Sequence, residues 1–188
     1  NDLKKRRFLR PILTGEESWC QLFSEPGSGS DLAGLSTKAE FAQGRWVING
    51  QKVWNTSAHH ADWGILVART NWDVPKHQGI SYFLIGMSQP GVEVRRLKQM
   101  NGHASFNEVF MTDAYVDADH LVGVEGQGWI VAKTTLSYER QLGGVARSFV
   151  GIKVKRGGRV HEEYEQELAI ANEPYAWYPQ RQGRVDLV

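Results

Sequence analysis

The chain has 188 residues, with 22 Lys and Arg against 21 Asp and Glu and a net charge of +1. A balance so near neutral excludes bulk attraction to a nucleic-acid backbone, and a lone cysteine, Cys20, excludes an internal disulfide and suits a reducing compartment. No apolar run reaches the length of a membrane span and no secretory leader is evident, while 41% hydrophobic residues and seven tryptophans suffice for the core of one medium domain.

In chain order, DLKKRRFLRPIL (2–13) reads as the end of a helix, with Pro11 near its close. The chain thus begins mid-element and without an initiator Met, and it is expected to be a piece of a longer protein. Residues 19–23 read as a buried strand that runs into Glu25-Pro26-Gly27-Ser28-Gly29-Ser30-Asp31. In RWVINGQKVWNT (45–56), two apolar runs flank Asn49-Gly50, the pair a type I′ turn prefers, and a hairpin is expected there. WGILVART (63–70) and GISYFLI (79–85) are continuous apolar runs, as buried strands tend to be. GVEVRRL (91–97) alternates and is expected to be half-exposed; FNEVFMTDAYV (106–116) reads as a further strand with a turn. This spacing predicts a mainly β fold with flanking α, a compact antiparallel barrel or sandwich.

From Gly128 to about Val150 the turn signals thin out. Trp129, Ala132, Leu136 and Leu142 can share much of one helical face, so a helix is expected, weakened by Gly143-Gly144. A basic block (153–159) then precedes four glutamates between 162 and 167. VHEEYEQELAIA (160–171) could form a short helix, and 173–188 reads as an extended tail.

Two stretches carry candidate chemistry. Successive amides in a Gly/Ser loop form a concavity of partial positive charge suited to a pyrophosphate. Gly27 and Gly29 lack a Cβ and permit close approach, and Ser30 adds a hydroxyl donor. The alternative is a solvated turn whose Asp31 caps the next element. After the expected hairpin, Trp54 can pack its face on a planar ring, and Thr56, two residues on, falls on the same side of an extended strand; the alternative is a core Trp with Thr56 ending a strand. His59 and His60, adjacent on a strand, would point to opposite faces, which is poor metal geometry. No zinc spacing, no Rossmann fingerprint and no basic-aromatic ladder for nucleic acid is present, so no metal site is expected.

QLFSEPGSGSD (21–31), INGQKVWNT (48–56), GVEV (91–94), NGHASFNEVFMTDAYVDADHLVGVEGQGW (101–129) and LSYER (136–140) arrive in an order and spacing that resemble the acyl-CoA dehydrogenases, over roughly residues 3–150. The resemblance implies three parts: 1–18 as the end of an N-terminal helical domain, 19–126 as the central β-domain, and 127–188 as the start of a C-terminal helical domain. It implies FAD as cofactor, held by Gln21, Phe23, Ser24, Gly29, Ser30, Trp54 and Thr56. It implies an acyl-CoA substrate contacted by Ser30 and Arg140, and an electron-transfer flavoprotein as redox partner. A homodimer or homotetramer in the cytoplasm follows, or in the mitochondrial matrix if the source is eukaryotic. Glu139 falls at one of the two places where the family carries its catalytic base; a carboxylate facing an apolar acyl cavity would hold its proton more tightly, as α-proton removal requires. The competing readings of Glu139 are a solvated helix residue and a partner of Arg140. His103 lies where the family more often has Arg and reads as a loop hydrogen-bonder. The chain departs from the family pattern after about residue 150. Two rival functions remain: a flavin oxidase or monooxygenase on the same fold, and a β-domain kept as a non-catalytic assembly module.

Overall fold

Two residues with positive φ, Gln43 (53°) and Gly44 (82°), join the first hairpin of the sheet, between β2 (Lys38–Ala42) and β3 (Arg45–Lys52). Successive positive φ values are what a type I′ turn demands. The hairpin therefore lies six residues before Asn49-Gly50, where the sequence placed it. Asn49 and Gly50 instead sit inside β3. Ile48 pairs with Ala114 and Gly50 with Met111, so two residues of the facing strand, β7 (Phe106–Asp117), oppose Asn49 alone. This is a β-bulge, and it is the turn foreseen within 106–116. Asp113 takes φ 50° there, its amide donates to Asn49 Oδ1 at 2.9 Å, and Asn49 Nδ2 donates to its carboxylate at 3.1 Å. Gly50 answers a close approach: a Cβ there would lie 2.5 Å from Thr37 Oγ1 and 2.7 Å from Thr37 Cα.

The structure, a computed structural model, describes residues 2–145 together with Glu162 and Glu165, both helical; the basic block, the extended tail and the rest of the expected 160–171 helix lie outside the described residues. Two compact units divide the chain, Asn1–Glu139 and Arg140–Val188. Within the first, β1 (Trp19–Leu22), β4 (Trp63–Arg69), β5 (Ile80–Gly86), β6 (Val92–Leu97) and β8 (Leu121–Val122) join β2, β3 and β7. Strands run in the order β6-β7-β3-β2-β4-β5-β8, with β1 alongside β4. Two pairings depart from the expected antiparallel pattern: β1 with β4, from Trp19–Trp63 to Leu22–Leu66, and the Lys38–Arg69 pair of β2 with β4, are parallel. Parallel neighbours need long connections, and β2 and β3 supply one between β1 and β4. Strand β2 went unread in the sequence because only Ala39 of KAEFA is buried.

The continuous apolar runs of β4 and β5 follow from cover on both faces. Leu66, Ala68, Phe83 and Ile85 point into one core with Trp46, Ile48, Val109 and Met111. Val67, Ile80 and Tyr82 point into the other, with Phe23, Leu32, Leu35 and Ala132. β6 alternates between half-buried and exposed residues, with one side in contact with solvent.

Helix α1 (Asp2–Thr14) buries Phe8, whose ring meets Trp19 at 5.3 Å and Trp63 at 5.0 Å, edge-on. Helix α2 (Gly128–Val145) starts hard against β5: a Cβ at Gly128 would fall 2.4 Å from the Ser81 carbonyl carbon. Ala132 buries on the second core, with Trp129 and Leu136 half-buried beside it. Among the described residues no helix is long and apolar enough to cross a membrane.

Candidate functional site

A cavity of ≈ 420 Å³ opens where the end of β1, the segment after β3 and α2 meet. Gln21, Phe23 and Ser24 line it from the first, Trp54, Asn55 and Thr56 from the second, and Glu139 from the third. Six residues named from the sequence thus share one space of ordinary ligand-pocket size. Gly29, Ser30 and Arg140 lie outside its lining.

Trp54 and Thr56 reach the cavity by a different route from strand alternation. Strand β3 ends at Lys52, Trp54 adopts φ 62° and Ser57 φ 57°. Left-handed backbone is costly for a residue with a Cβ, so the extended-strand argument for Thr56 fails and a double-kinked segment takes its place. Three amides sew it down: Val53 to Ser24 O at 2.9 Å, Asn55 to Asn107 O at 3.1 Å, Ser57 to Ser105 O at 2.9 Å. The indole of Trp54 is 62% exposed and touches Phe106 edge-on at 6.0 Å. The histidines that follow sit on a 3₁₀ turn, Ala58–His60, not on a strand, and their rings lie 3.9 Å apart.

Cations secure the Gly/Ser loop. Lys52, fully buried, donates to Phe23 O at 3.0 Å and to Glu25 Oε1 at 2.8 Å. Glu25 also accepts from the amides of Ser36 at 2.7 Å and Thr37 at 2.9 Å and from the Ser36 hydroxyl at 2.8 Å. Burial by itself would raise the Glu25 carboxyl; the Lys52 ammonium and these donors outweigh it and hold the group down at about 2. Burial pulls Lys52 below the usual lysine range, against the opposing pull of Glu25. Arg69 donates to the carbonyls of Ala33 at 2.6 Å and Leu35 at 3.2 Å. Lys76 reaches both oxygens of Asp31 at 2.8 Å, and that hydrogen bond keeps the Asp31 carboxyl below its usual range. Asp31 makes no side-chain cap to the 3₁₀ turn at Leu32–Gly34. Of these groups the sequence singled out only Asp31, and as a cap; Glu25 and Lys52 were embedded in the two motifs already quoted without a role.

Between the anchors the loop tip is free. Glu25 and Ser28 exchange backbone bonds at 2.9 and 3.0 Å around Pro26-Gly27. Gly29 and Ser30 are exposed, and among the described residues no group accepts from their amides. Apart from the flanking residues, no described protein atom lies within 4 Å of where a Gly29 Cβ would stand, so packing within the described chain does not require glycine there.

Glu139 is exposed on α2 and accepts from Gln21 Nε2 at 3.4 Å. The apolar enclosure expected around it is not supplied by the described residues, whose cavity lining is partly polar. Arg140 follows on the same helix, exposed. His103 serves its loop through the backbone, donating to Asn101 Oδ1 at 3.0 Å and accepting from Gln99 at 2.7 Å. Asp117, Asp119 and His120 bring ligand-type atoms within 4.8 Å of one another at a surface turn, a grouping that exposed acidic side chains often make.

A flavin's requirements match this donor set. An exposed indole offers a planar wall, Ser24 and Thr56 offer hydroxyls, and the free loop amides suit phosphate. Fold and cavity together define a β-domain in which a strand end, a kinked turn and a helix carboxylate converge on one cavity. Residues 20–114 match the family model of the acyl-CoA dehydrogenase middle domain, and the chain belongs to the acyl-CoA dehydrogenase family. It is 52% identical over 134 residues to the acyl-CoA dehydrogenase FadE34 of Mycobacterium tuberculosis, covering 71% of this chain and 19% of that one. To the acyl-CoA dehydrogenase IpdE1 of the same organism it is 48% identical over 147 residues, 78% of this chain and 38% of that one. Among solved structures, the Tcur3481-Tcur3483 steroid acyl-CoA dehydrogenase superposes with a TM-score of 0.71 at 30% identity, over 74% of this chain and 36% of that one. The chain therefore spans well under half the length of these three relatives.

Proposed function

We propose that this chain forms the flavin-facing β-domain of an FAD-dependent acyl-CoA dehydrogenase that oxidises an acyl-CoA thioester between its α and β carbons. The observation that carries the reading is the single cavity into which Gln21, Phe23, Ser24, Trp54, Thr56 and Glu139 all face. Trp54 would pack on the ring system, Ser24 and Thr56 would donate to its polar edge, and the amides of Gly29 and Ser30 would take up phosphate oxygens. When bound, the flavin supplies the hydride acceptor. Glu139 would accept the α-proton, with Gln21 orienting the carboxylate. Ser30 and Arg140 would contact the acyl-CoA. Electron-transfer flavoprotein as the electron acceptor, a homodimer or homotetramer, and a cytoplasmic or mitochondrial-matrix location are parts of the same proposal. The name of the steroid enzyme supports a bulky or branched acyl group as the substrate class to try first.

The test uses the intact protein. Purified, it should be yellow with stoichiometric FAD, and a panel of acyl-CoA thioesters should bleach it anaerobically without oxygen being required. Glu139→Gln keeps the side chain's shape but removes proton acceptance; flavin and thioester should still bind while bleaching slows by roughly 10²–10⁴-fold. A flavin-free protein refutes the cofactor assignment. Bleaching of Glu139→Gln at the parental rate refutes Glu139 as the base.

A further inference from the structure

Asn55 and Asn107 do not belong to the donor set just described, yet both side chains are buried beside the cavity with their Nδ2 atoms hydrogen-bonded. Asn107 is 0% exposed and Asn55 2% exposed. Asn107 Nδ2 donates to Asn55 O at 2.7 Å and to Ser105 O at 3.1 Å. The Asn55 amide returns a bond to Asn107 O at 3.1 Å. Asn55 Nδ2 donates across to Gln21 O at 2.7 Å. The one residue between Trp54 and Thr56 is thereby held at its N–H, its carbonyl and its side chain, to β7 on one side and to β1 on the other.

We propose that Asn107, acting through Asn55, is a positioning residue that fixes the left-handed turn and presents Trp54 and Thr56 to the cavity. The physical need is plain. Trp54 (φ 62°) and Ser57 (φ 57°) both occupy a conformation that L side chains disfavour. Such backbone persists only where its surroundings over-determine it. No ladder bond of β3 reaches past Lys52, so the determination comes from the asparagines and the flanking amide bonds of Val53 and Ser57. Each buried amide bond is worth more here than in water, because opening one leaves a desolvated carbonyl unpaired. Asn107 does not line the cavity. Its influence on a ligand runs through Asn55, and through Phe106 next to it in sequence, against which the Trp54 ring rests.

The inference rests on the reading of the cavity as a flavin site only for its consequence, not for its geometry, and the test separates the two. The intact protein is labelled with 5-fluorotryptophan, and the Trp54 ¹⁹F resonance is assigned by its loss in Trp54→Phe. In Asn107→Ala this resonance is expected to shift or broaden while the other tryptophans keep their lines. The flavin dissociation constant is expected to rise roughly tenfold, as for one lost hydrogen-bonded contact. Asn55→Ala is expected to give the same Trp54 change, and the double variant no more than either single one, because the two act in series. An unmoved Trp54 line in folded Asn107→Ala overturns the proposal, and so does an equal disturbance of every tryptophan line, which marks general loosening. A protein that binds no flavin overturns the functional reading, while the ¹⁹F lines still decide the clamp. Where Asn107→Ala fails to fold, Asn107→Asp, of equal size but without the amide donor, carries the same measurement.

Discussion

Replacing Lys52 by Met removes an ammonium that is wholly enclosed and keeps most of its volume. In the parent, that ammonium satisfies Phe23 O at 3.0 Å and Glu25 Oε1 at 2.8 Å. In Lys52→Met the Phe23 carbonyl loses its lysine donor. The Glu25 carboxylate, 4% exposed at its side chain, keeps the Ser36 and Thr37 donors but no counter-charge. Breaking a buried pair from one side costs about 3–5 kcal/mol. Against a total stability of about 5–15 kcal/mol, the loss is severe without being fatal. The pH dependence fixes the mechanism. In the parent the Glu25 contribution is fully present above pH 4.5 and is lost as pH falls toward 2. In Lys52→Met burial acts on Glu25 without the ammonium to oppose it, and the carboxyl takes up a proton at higher pH. The folded variant then gains stability on acidification, and the gap between the two proteins narrows as pH falls from 7 to 4.5. Urea unfolding followed by tryptophan fluorescence at both pH values measures this. Glu25→Gln combined with Lys52→Met should recover part of the loss, since no unpaired charge remains. A loss below about 1 kcal/mol at pH 7, where even an exposed pair would suffice to explain it, refutes the reasoning, as does a gap that widens on acidification.

Gly128→Ala places a methyl group 2.4 Å from the Ser81 carbonyl carbon and 2.6 Å from Tyr82 N, both backbone. Despite the better helix propensity of Ala, the clash should lower stability by about 1–3 kcal/mol in the same urea assay; a raised midpoint would show that the helix start has room to shift. Cys20, 4% exposed, has its thiol pushed up to about 12 by burial. At pH 8 a disulfide reagent should react with the native protein at least about a hundredfold more slowly than with the denatured one; fast stoichiometric reaction of the folded protein would contradict the burial.

The residues by themselves determined whatever depends on near neighbours in the chain. The apolar runs at 63–70 and 79–85 read as buried strands, and they are strands covered on both faces. The two motifs at 21–31 and 48–56 held five candidate site residues that the fold gathers into one cavity, with Glu139 of LSYER as the sixth, because a strand end and the segment that follows it carry their own register. Tertiary structure decided whatever depends on what lies opposite. Asn49-Gly50 is sound hairpin chemistry read locally, but Thr37 approaches Gly50 too closely for any side chain, and β7 carries the extra residue that turns the site into a bulge. Glu25 and Lys52 are 27 residues apart, and Asn55 and Asn107 are 52 apart. Each is an ordinary polar residue until folding removes it from water, and only then does its partner become obligatory. The anchors of the site were therefore silent in the sequence, because a buried polar group is defined by its desolvation, and desolvation is a property of the packed sheet rather than of the chain.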